Sequence, residues 1–452
     1  MTREGAREGY VNDYYSATET MSREALEELQ LSRLRKQVRW VSKKSNFYSS
    51  RLRNANVSGD QLRKITDIER IPFTYKNDIR SDQCSTPPFG ANVCEDRENW
   101  LEIHSTSGTT GRGTFTLWSK KDVEVITSQA ARALYATGVR AHDIVHVAFG
   151  LGMFVGGIAA HYGVQRVGAM SVPIGTTDSD QQVEFLVDLQ PTVIIATPSF
   201  GLYLAEVLRK KGIVLDDLAL RVGVFGGEPG AASAHTRRAL EDGLGIKAFD
   251  WYGSAEVGPD FGYECEYQLG LHWAQDHNLV EVVDSMTHRP VEEGESGVLV
   301  VTNLSRTATP LLRYWTNDLV RMTKDACPCG RQGPRALEGI LGRSDDMLIY
   351  KGVNFYPQQV EQCVRNFREL TSEYKILLDT DSATAKDRCV IQVEIRDESH
   401  ASTTNVQRAL DNNLFKELGF HPSIKVLPEG TLERTVHKAK RVDDKRGRLV
   451  NR

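Results

Sequence analysis

The sequence predicts an α/β fold: a large N-terminal domain with mostly parallel, covered sheets, followed by a small α+β C-terminal domain. Three observations predict it. From about Ala141, short apolar runs alternate with helical stretches at the spacing of βαβ units. The 452 residues suffice for two or three domains and a large buried core. After about Leu341 the texture changes: a glycine-bounded charged segment, Gly342-Arg343-Ser344-Asp345-Asp346, precedes a smaller unit of mixed elements. The domain boundary is expected there, dividing the chain into 1–342 and 343–452.

Met21 to Ser49 reads as one long helix, because Leu26, Leu29, Leu31, Leu34, Val38 and Val41 recur at roughly helical spacing after Ser22 and Glu24. Its plainest use is packing on the outside of the fold. The runs Asp143–Phe149, Ala169–Ile174, Thr192–Thr197, Leu220–Phe225 and Ile246–Trp251 are expected as short buried strands. Helices are expected between them at Ser179–Leu189, Pro198–Lys211 and Ala231–Leu244. Ligands of such sheets sit beyond the carboxyl ends of the strands, so the loops after these runs matter most. In the C-terminal unit, Pro357–Phe367 and Asn405–Leu418 read as helices, and Tyr374–Asp379, Cys389–Ile395 and Ile424–Leu427 as strands.

Charge is nearly balanced: 56 basic and 60 acidic residues give a formal net charge of -4, no footprint for nucleic acid or an anionic membrane. Met1 to Tyr14 lacks the apolar core of a secretory signal. Val145 to Ala160 is too short and too interrupted by glycine to span a bilayer. Seven cysteines, an odd number, fit a reducing cytoplasm better than a disulfide framework.

The string Ser105–Gly113 holds three glycines and five hydroxyl residues within nine positions. Glycines let backbone N–H groups approach a polyphosphate, and Ser and Thr hydroxyls donate to its oxygens. The runs Trp100–His104 and Phe115–Ser119 flank it, so it is expected to join two strands. It lacks the Gly-Lys-Ser/Thr end of a P-loop and the G-x-G-x-x-G spacing of dinucleotide folds; taken alone it also suits a flexible hairpin tip.

Together with the rest of the chain it resembles the adenylate-forming, acyl-CoA synthetase-like superfamily, and within it the phenylacetate–CoA ligase family. The resemblance runs from Glu19-Thr20-Met21-Ser22-Arg23-Glu24 through Ile71-Pro72-Phe73-Thr74-Tyr75-Lys76 to the glycine-rich loop. It continues in Phe225-Gly226-Gly227-Glu228-Pro229, Trp251-Tyr252-Gly253-Ser254-Ala255-Glu256, Gly270-Leu271-His272 and Asp276-His277. It ends in Arg313-Tyr314-Trp315-Thr316-Asn317-Asp318-Leu319, the Gly342–Asp346 segment and His437-Lys438-Ala439-Lys440-Arg441.

The resemblance implies attack of a carboxylate on the α-phosphorus of ATP, so catalysis rests on positioning and charge compensation. Ser105, Thr106, Ser107, Gly108, Thr109 and Thr110 would hold phosphate, and Glu256 would help hold Mg2+. Tyr252 would stack on adenine, lined by Gly226, Gly227, Glu228, Trp251 and Gly253. Asp318 would accept the ribose hydroxyls, and Arg343 would contact ribose or phosphate. Asp345 would be the hinge about which a mobile C-terminal lid turns between half-reactions. Lys438 would place its ammonium between carboxylate and α-phosphate. Lys440 competes for that role, and a solvated basic tail is the bland alternative.

Cys265, His272, Cys327 and Cys329 form a Cys-x6-His … Cys-x-Cys set suited to a closed structural zinc site, with His277 as a substitute ligand and buried free thiols as the alternative. Phe149, Met153 and Phe154 suggest an aromatic wall for the acid, although a buried core looks the same. Departures from the family pattern fall at Arg112-Gly113, Ser254-Ala255, Trp315, Asn317 and Lys351. The expected reaction is acid plus ATP giving acyl-AMP, then transfer to coenzyme A. Transfer to an amine or a carrier-protein thiol, and a catalytically silent nucleotide-binding protein, stay open here. The expected partners are a small carboxylic acid, ATP, and CoA or an amine, with homodimerisation open.

Overall fold

The computed structural model describes residues 14–106, 113–380, 387–397, 399, 401–434 and 441–446. The chain opens with α1 (Arg23–Lys44), capped by the Ser22 side chain on Ala25 N. The expected single helix breaks at Ser45, whose backbone is extended and whose hydroxyl caps α2 (Asn46–Asn54) by accepting from Tyr48 N. The same hydroxyl donates to Ala91 O at 2.9 Å. A serine that serves the next helix as N-cap cannot continue the previous one. Helix α3 (Lys76–Ser85) follows.

Strands β1 (Trp100–Ser105) and β2 (Phe115–Ser119) pair antiparallel, so the glycine-rich string joins two strands as expected. Helix α4 (Lys120–Ala136) starts in a capping box of Ser119 and Asp122.

The main sheet contains β3 (Ile144–Val147), β4 (Met170–Val172), β5 (Val193–Ala196), β6 (Val222–Gly226), β7 (Lys247–Ser254), β8 (Gly258–Tyr263) and β9 (His272–Trp273). Their order is β4-β3-β5-β6-β7-β8-β9, parallel as far as β7 and antiparallel from there on. Helix α5 (Val155–Val167) joins α4 on one face, where Ala130, Leu134, Ala160 and Val164 pack with Val145, Val193, Ile195 and Trp251. Helices α6 (Ser179–Leu189), α7 (Pro198–Lys210) and α8 (Ala234–Leu244) cover the other, where Leu186, Phe200, Leu204 and Leu240 meet Ile194, Ala196 and Phe225. Strand β5 thus sends Val193 and Ile195 into one core and Ile194 and Ala196 into the other, as a central strand of a doubly covered parallel sheet must. The chain leaves β3 toward β4 on one side and β5 on the other. That reversal opens a crevice beyond the ends of β3 and β5.

A second, antiparallel sheet was not foreseen. It runs in order through β10 (Asn278–Val283), β11 (Ser296–Asn303), β12 (Tyr314–Thr323) and β13 (Arg335–Arg343), with Asp318 directly opposite Arg343. The C-terminal part begins with the hairpin β14 (Leu348–Tyr350) and β15 (Val353–Phe355) and helix α9 (Pro357–Arg365). It continues with β16 (Leu370–Thr380), β17 (Asp387–Ile395), helix α10 (Thr403–Leu418), β18 (Ser423–Pro428) and β19 (Val442–Asp444). The last four strands form one sheet, ordered β18-β17-β16-β19, around its own core of Val360, Ile376, Ile391, Val393 and Leu410. No described helix is long and apolar enough to cross a membrane.

Candidate active site and metal centre

The mouth of the glycine-rich loop is held by backbone. Thr106 N donates to Thr114 O at 3.1 Å, and Thr114 N donates to Thr106 Oγ1 at 3.0 Å. Gly113 is required: a Cβ there would lie 2.3 Å from Thr106 O. Ser105 N donates to Met153 O at 3.1 Å, tying the loop to the segment after β3. Ser107, Gly108, Thr109, Thr110 and Arg112 lie outside the described residues.

Thr114, Phe115 and Thr116 line one small cavity with Glu256, Asn92 and Thr309. In it Glu256 Oε1 lies 2.9 Å from Lys76 Nζ. Burial, then the Glu256 carboxylate, push the Tyr314 phenol well above its ordinary range, so it faces the carboxylate as a neutral hydroxyl. Nothing in the sequence alone gives Lys76 or Tyr314 a role. Their meeting with Glu256 is long-range, and the only signal was their place inside quoted motifs.

Gly226 ends β6 and Gly227 follows it. A side chain on Gly226 would meet Trp251 O at 2.5 Å, and Gly227 has a φ of 84°, which favours glycine. The Gly227 α-carbon faces Phe149 and Phe154, whose ring centroids are 5.9 Å apart, while Met153 and Phe154 are exposed. The Glu228 carboxylate is occupied locally, accepting from Ser199 N at 2.8 Å at the start of α7. Gly253 allows the close β7–β8 turn, since a Cβ would lie 2.5 Å from Asp260 N.

A chain of charged contacts starts at Tyr252. Its ring sits edge-on to Phe261 and Trp273, in a different core from Trp251, and its hydroxyl donates to Asp318 Oδ2 at 2.6 Å. Asp318 Oδ1 accepts from Arg343 Nη1 at 3.1 Å. Arg343 also donates through Nε and Nη2 to both oxygens of Asp345, at 2.9 and 2.8 Å. Burial opposes the guanidinium charge, but Asp318 and Asp345 outweigh it and hold its pKa above the ordinary value. Asn317, one of the departures, has a φ of 67° and donates through Nδ2 to Asp345 at 3.2 Å.

Beneath this site, burial, then the Glu264 carboxylate, push Asp250 up to about 8. The Asp250 backbone N–H donates to Glu264 at 2.8 Å, and Arg237 pairs with Glu264 at 2.8 Å. Between the ordinary carboxylate range and about 8 the folded protein therefore keeps a proton that the unfolded chain releases. Stability from this pair is full below that range and falls as pH rises through it. Asp250→Asn is expected to flatten the decline of urea midpoint between pH 5 and 8, and an unaltered slope would place the proton elsewhere.

Cys265, His272, Cys327 and Cys329 converge from the end of β8, the start of β9 and the β12–β13 connection, all buried, with their ligand atoms within 4.8 Å of one another. Cys265 Sγ and Cys327 Sγ are 3.7 Å apart, and Cys329 Sγ and His272 Nε2 are 3.5 Å apart. A tetrahedral zinc with Zn–S of about 2.3 Å and Zn–N of about 2.0 Å requires edges of roughly 3.8 and 3.5 Å, so the donor set fits. Burial lowers the His272 pKa, which keeps the imidazole neutral and able to ligate. His277 is not in the set; its Nδ1 pairs with Ser305 Oγ at 3.0 Å.

Comparison with known proteins agrees with this geometry. The AMP-binding enzyme profile matches residues 63–307, and that of the AMP-binding enzyme C-terminal domain matches residues 352–446. A phenylacetate-coenzyme A ligase of Thermus thermophilus is 40% identical over 384 residues, covering 84% of each chain. One from Pseudomonas putida is 36% identical over 434 residues, 95% of this chain and 96% of its own. Among solved structures, 2-hydroxyisobutyryl-CoA ligase in the postadenylation state with R3-HIB-AMP superposes with a TM-score of 0.90 at 29% identity, covering 95% of this chain and 91% of that one. The same ligase in the thioesterification state, with 2-HIB-AMP and CoA, gives 0.72 at 30% identity, covering 95% and 92%. The chain thus superposes better on that ligase's postadenylation structure than on its thioesterification structure. Fold and site define an AMP-binding, acid–CoA ligase enzyme, which activates a carboxylic acid with ATP as acyl-AMP and transfers the acyl group to CoA. The chain belongs to the phenylacetate–CoA ligase family.

Proposed function

We propose that the acid is aryl or otherwise hydrophobic, and that Glu256, Asp318, Arg343 and Lys438 carry the adenylation step. The observation that carries this reading is that Glu256 and the base of the glycine-rich hairpin line one cavity. Glu256 would hold Mg2+, which when bound neutralises phosphate charge. Lys76, now paired with Glu256, stands ready to keep the site's charge balanced as phosphates enter. Asp318 would accept the ribose hydroxyls, beside the Arg343 guanidinium that already donates to its Oδ1. The Tyr252 ring, fixed by its bond to Asp318, would offer a face to adenine. Phe149, Met153 and Phe154, beside Gly227, would form the acid's wall; phenylacetate, named for the Thermus and Pseudomonas relatives, has this chemistry.

Asp345 would be the hinge, with 1–342 as the large domain and 343–452 as the lid. The bidentate grip of Arg343 on Asp345 supports a defined pivot. Zinc at Cys265, His272, Cys327 and Cys329 would be structural, since four protein ligands close the coordination sphere. Among the described residues all cysteines are free, which supports a reducing, cytoplasmic setting.

Acid-dependent pyrophosphate release without CoA, screened over aryl, alkyl and hydroxy acids, tests the substrate class: hydrophobic acids are expected to lead, and preference for small hydroxy acids would refute it. Asp318→Asn is expected to raise the KM for ATP by about two orders of magnitude, because hydrogen bonds to a charged acceptor are each worth ~1.5–3 kcal/mol. An unchanged KM would remove the ribose role.

A further inference from the structure

Helix α7 of the large domain carries a buried carboxylate, Glu206, that no step so far has used. It lies against the small domain. Arg434 Nη2 is 3.5 Å from Glu206 Oε2, and Arg396 Nη1 is 3.9 Å from Oε1, which has no hydrogen-bond partner among the described residues. Arg434 is held far more tightly inside its own domain: Nη1 donates to Glu394 Oε2 at 2.7 Å and to Leu432 O at 3.0 Å. One turn further along α7, Lys210 meets Glu429 at 2.6 Å. Arg365 of α9 donates to Thr236 of α8.

The placement of Arg434 matters because the segment 435–440, with Lys438, begins at the next residue. The segment ends at Arg441, which pairs with Glu373 on β16 and lies over the Tyr374 ring at 4.9 Å. Both ends are thus anchored by arginine–carboxylate pairs, but only the Arg434 end also reaches the large domain.

We propose that Glu206 is a positioning residue for the adenylation half-reaction: it meets Arg434 and Arg396 across the domain interface and holds the small domain in the orientation described. The proposal rests on the reading of Lys438 given above. Its physical basis is the asymmetry of the contact. A buried carboxylate with an unpaired oxygen is costly unless positive charge covers it. Here that charge belongs to the small domain, from Arg434 and Arg396, in an arrangement that superposes on the postadenylation structure with a TM-score of 0.90. When the small domain turns away, Glu206 regains water and Arg434 keeps Glu394. The strut therefore favours one orientation weakly, as an alternating domain requires, without trapping it.

The test compares half-reactions in the full-length enzyme. Pyrophosphate exchange is driven by the acid that wild type turns over fastest in the panel, and thioester formation is followed from that acid's synthetic adenylate plus CoA. Glu206→Gln is expected to slow exchange about fivefold, the scale of one modest ion pair, and to leave thioester formation unchanged or faster. Glu206→Asp is expected to restore most of the exchange. Hydrogen–deuterium exchange without substrate is expected to speed up at 429–434 in Glu206→Gln. Equal slowing of both half-reactions, or no slowing of either, overturns the proposal. Retained exchange in Lys438→Ala would instead overturn the Lys438 reading, so the two failures are distinguishable.

Discussion

Lys438→Ala is expected to lower acid-dependent pyrophosphate exchange by about three orders of magnitude, while Lys440→Ala keeps most of it. A single preorganised donor aimed at developing charge is worth about two to three powers of ten in rate. An ammonium that would be shared by carboxylate and α-phosphate has no replacement among neutral residues. Lys438 lies outside the described residues, but its segment is bounded by Arg434, fixed on Glu394, and Arg441, fixed on Glu373. These anchors supply structural charge and leave the lysines between them as candidates for chemistry. The opposite pattern, with Lys440 indispensable, would assign the ammonium there. The check is initial-rate exchange, alongside circular dichroism to confirm folding.

Cys327→Ser is expected to release about one equivalent of zinc and to lower Tm by roughly ten degrees. Structural zinc contributes folding energy outright, about 10–16 kcal/mol in isolated zinc-finger peptides. Here a large core shares the work, so several kcal/mol is a reasonable share; each shifts Tm by about 2–4 °C in a domain of such size. Zinc there would tie the end of β8 to the β12–β13 connection, and so join the main sheet to the antiparallel one. Metal analysis and thermal unfolding decide the matter: zinc-free wild-type protein of undiminished Tm would show that the thiols are merely buried.

The parallel sheet was legible because strands buried on both faces read as unbroken apolar runs: β5 falls within the run expected, and β6 passes the end of its own by one residue. Helix α6 was legible to its ends, because Asp178 caps it and Gln190 stops it in a left-handed turn. The break at Ser45 was not, since Tyr48 and Leu52 carry apolar burial past it. The antiparallel sheet escaped for a different reason. Strand β12 mixes polar and apolar residues around Asn317 at positive φ and a shifted register, so no clean alternation survives. Spacing indicated His272 with the three cysteines as candidate zinc donors, and the structure brings these four together while Ser305 engages the substitute, His277. The resemblance nominated Asp318 and Arg343 separately; their cross-strand pairing is tertiary information.

That pairing carries a thermodynamic consequence. Arg343 divides its hydrogen bonds between Asp318 and Asp345. Ribose hydroxyls arriving at Asp318 would compete with the guanidinium for the same oxygens, and so alter what is left to grip the proposed pivot. Linkage makes the effect mutual: whatever factor nucleotide occupancy applies to the orientation equilibrium, orientation applies to nucleotide affinity. An adenylate-bearing enzyme in its two orientations should therefore hold the nucleotide with different strengths, and AMP should leave faster from one of them.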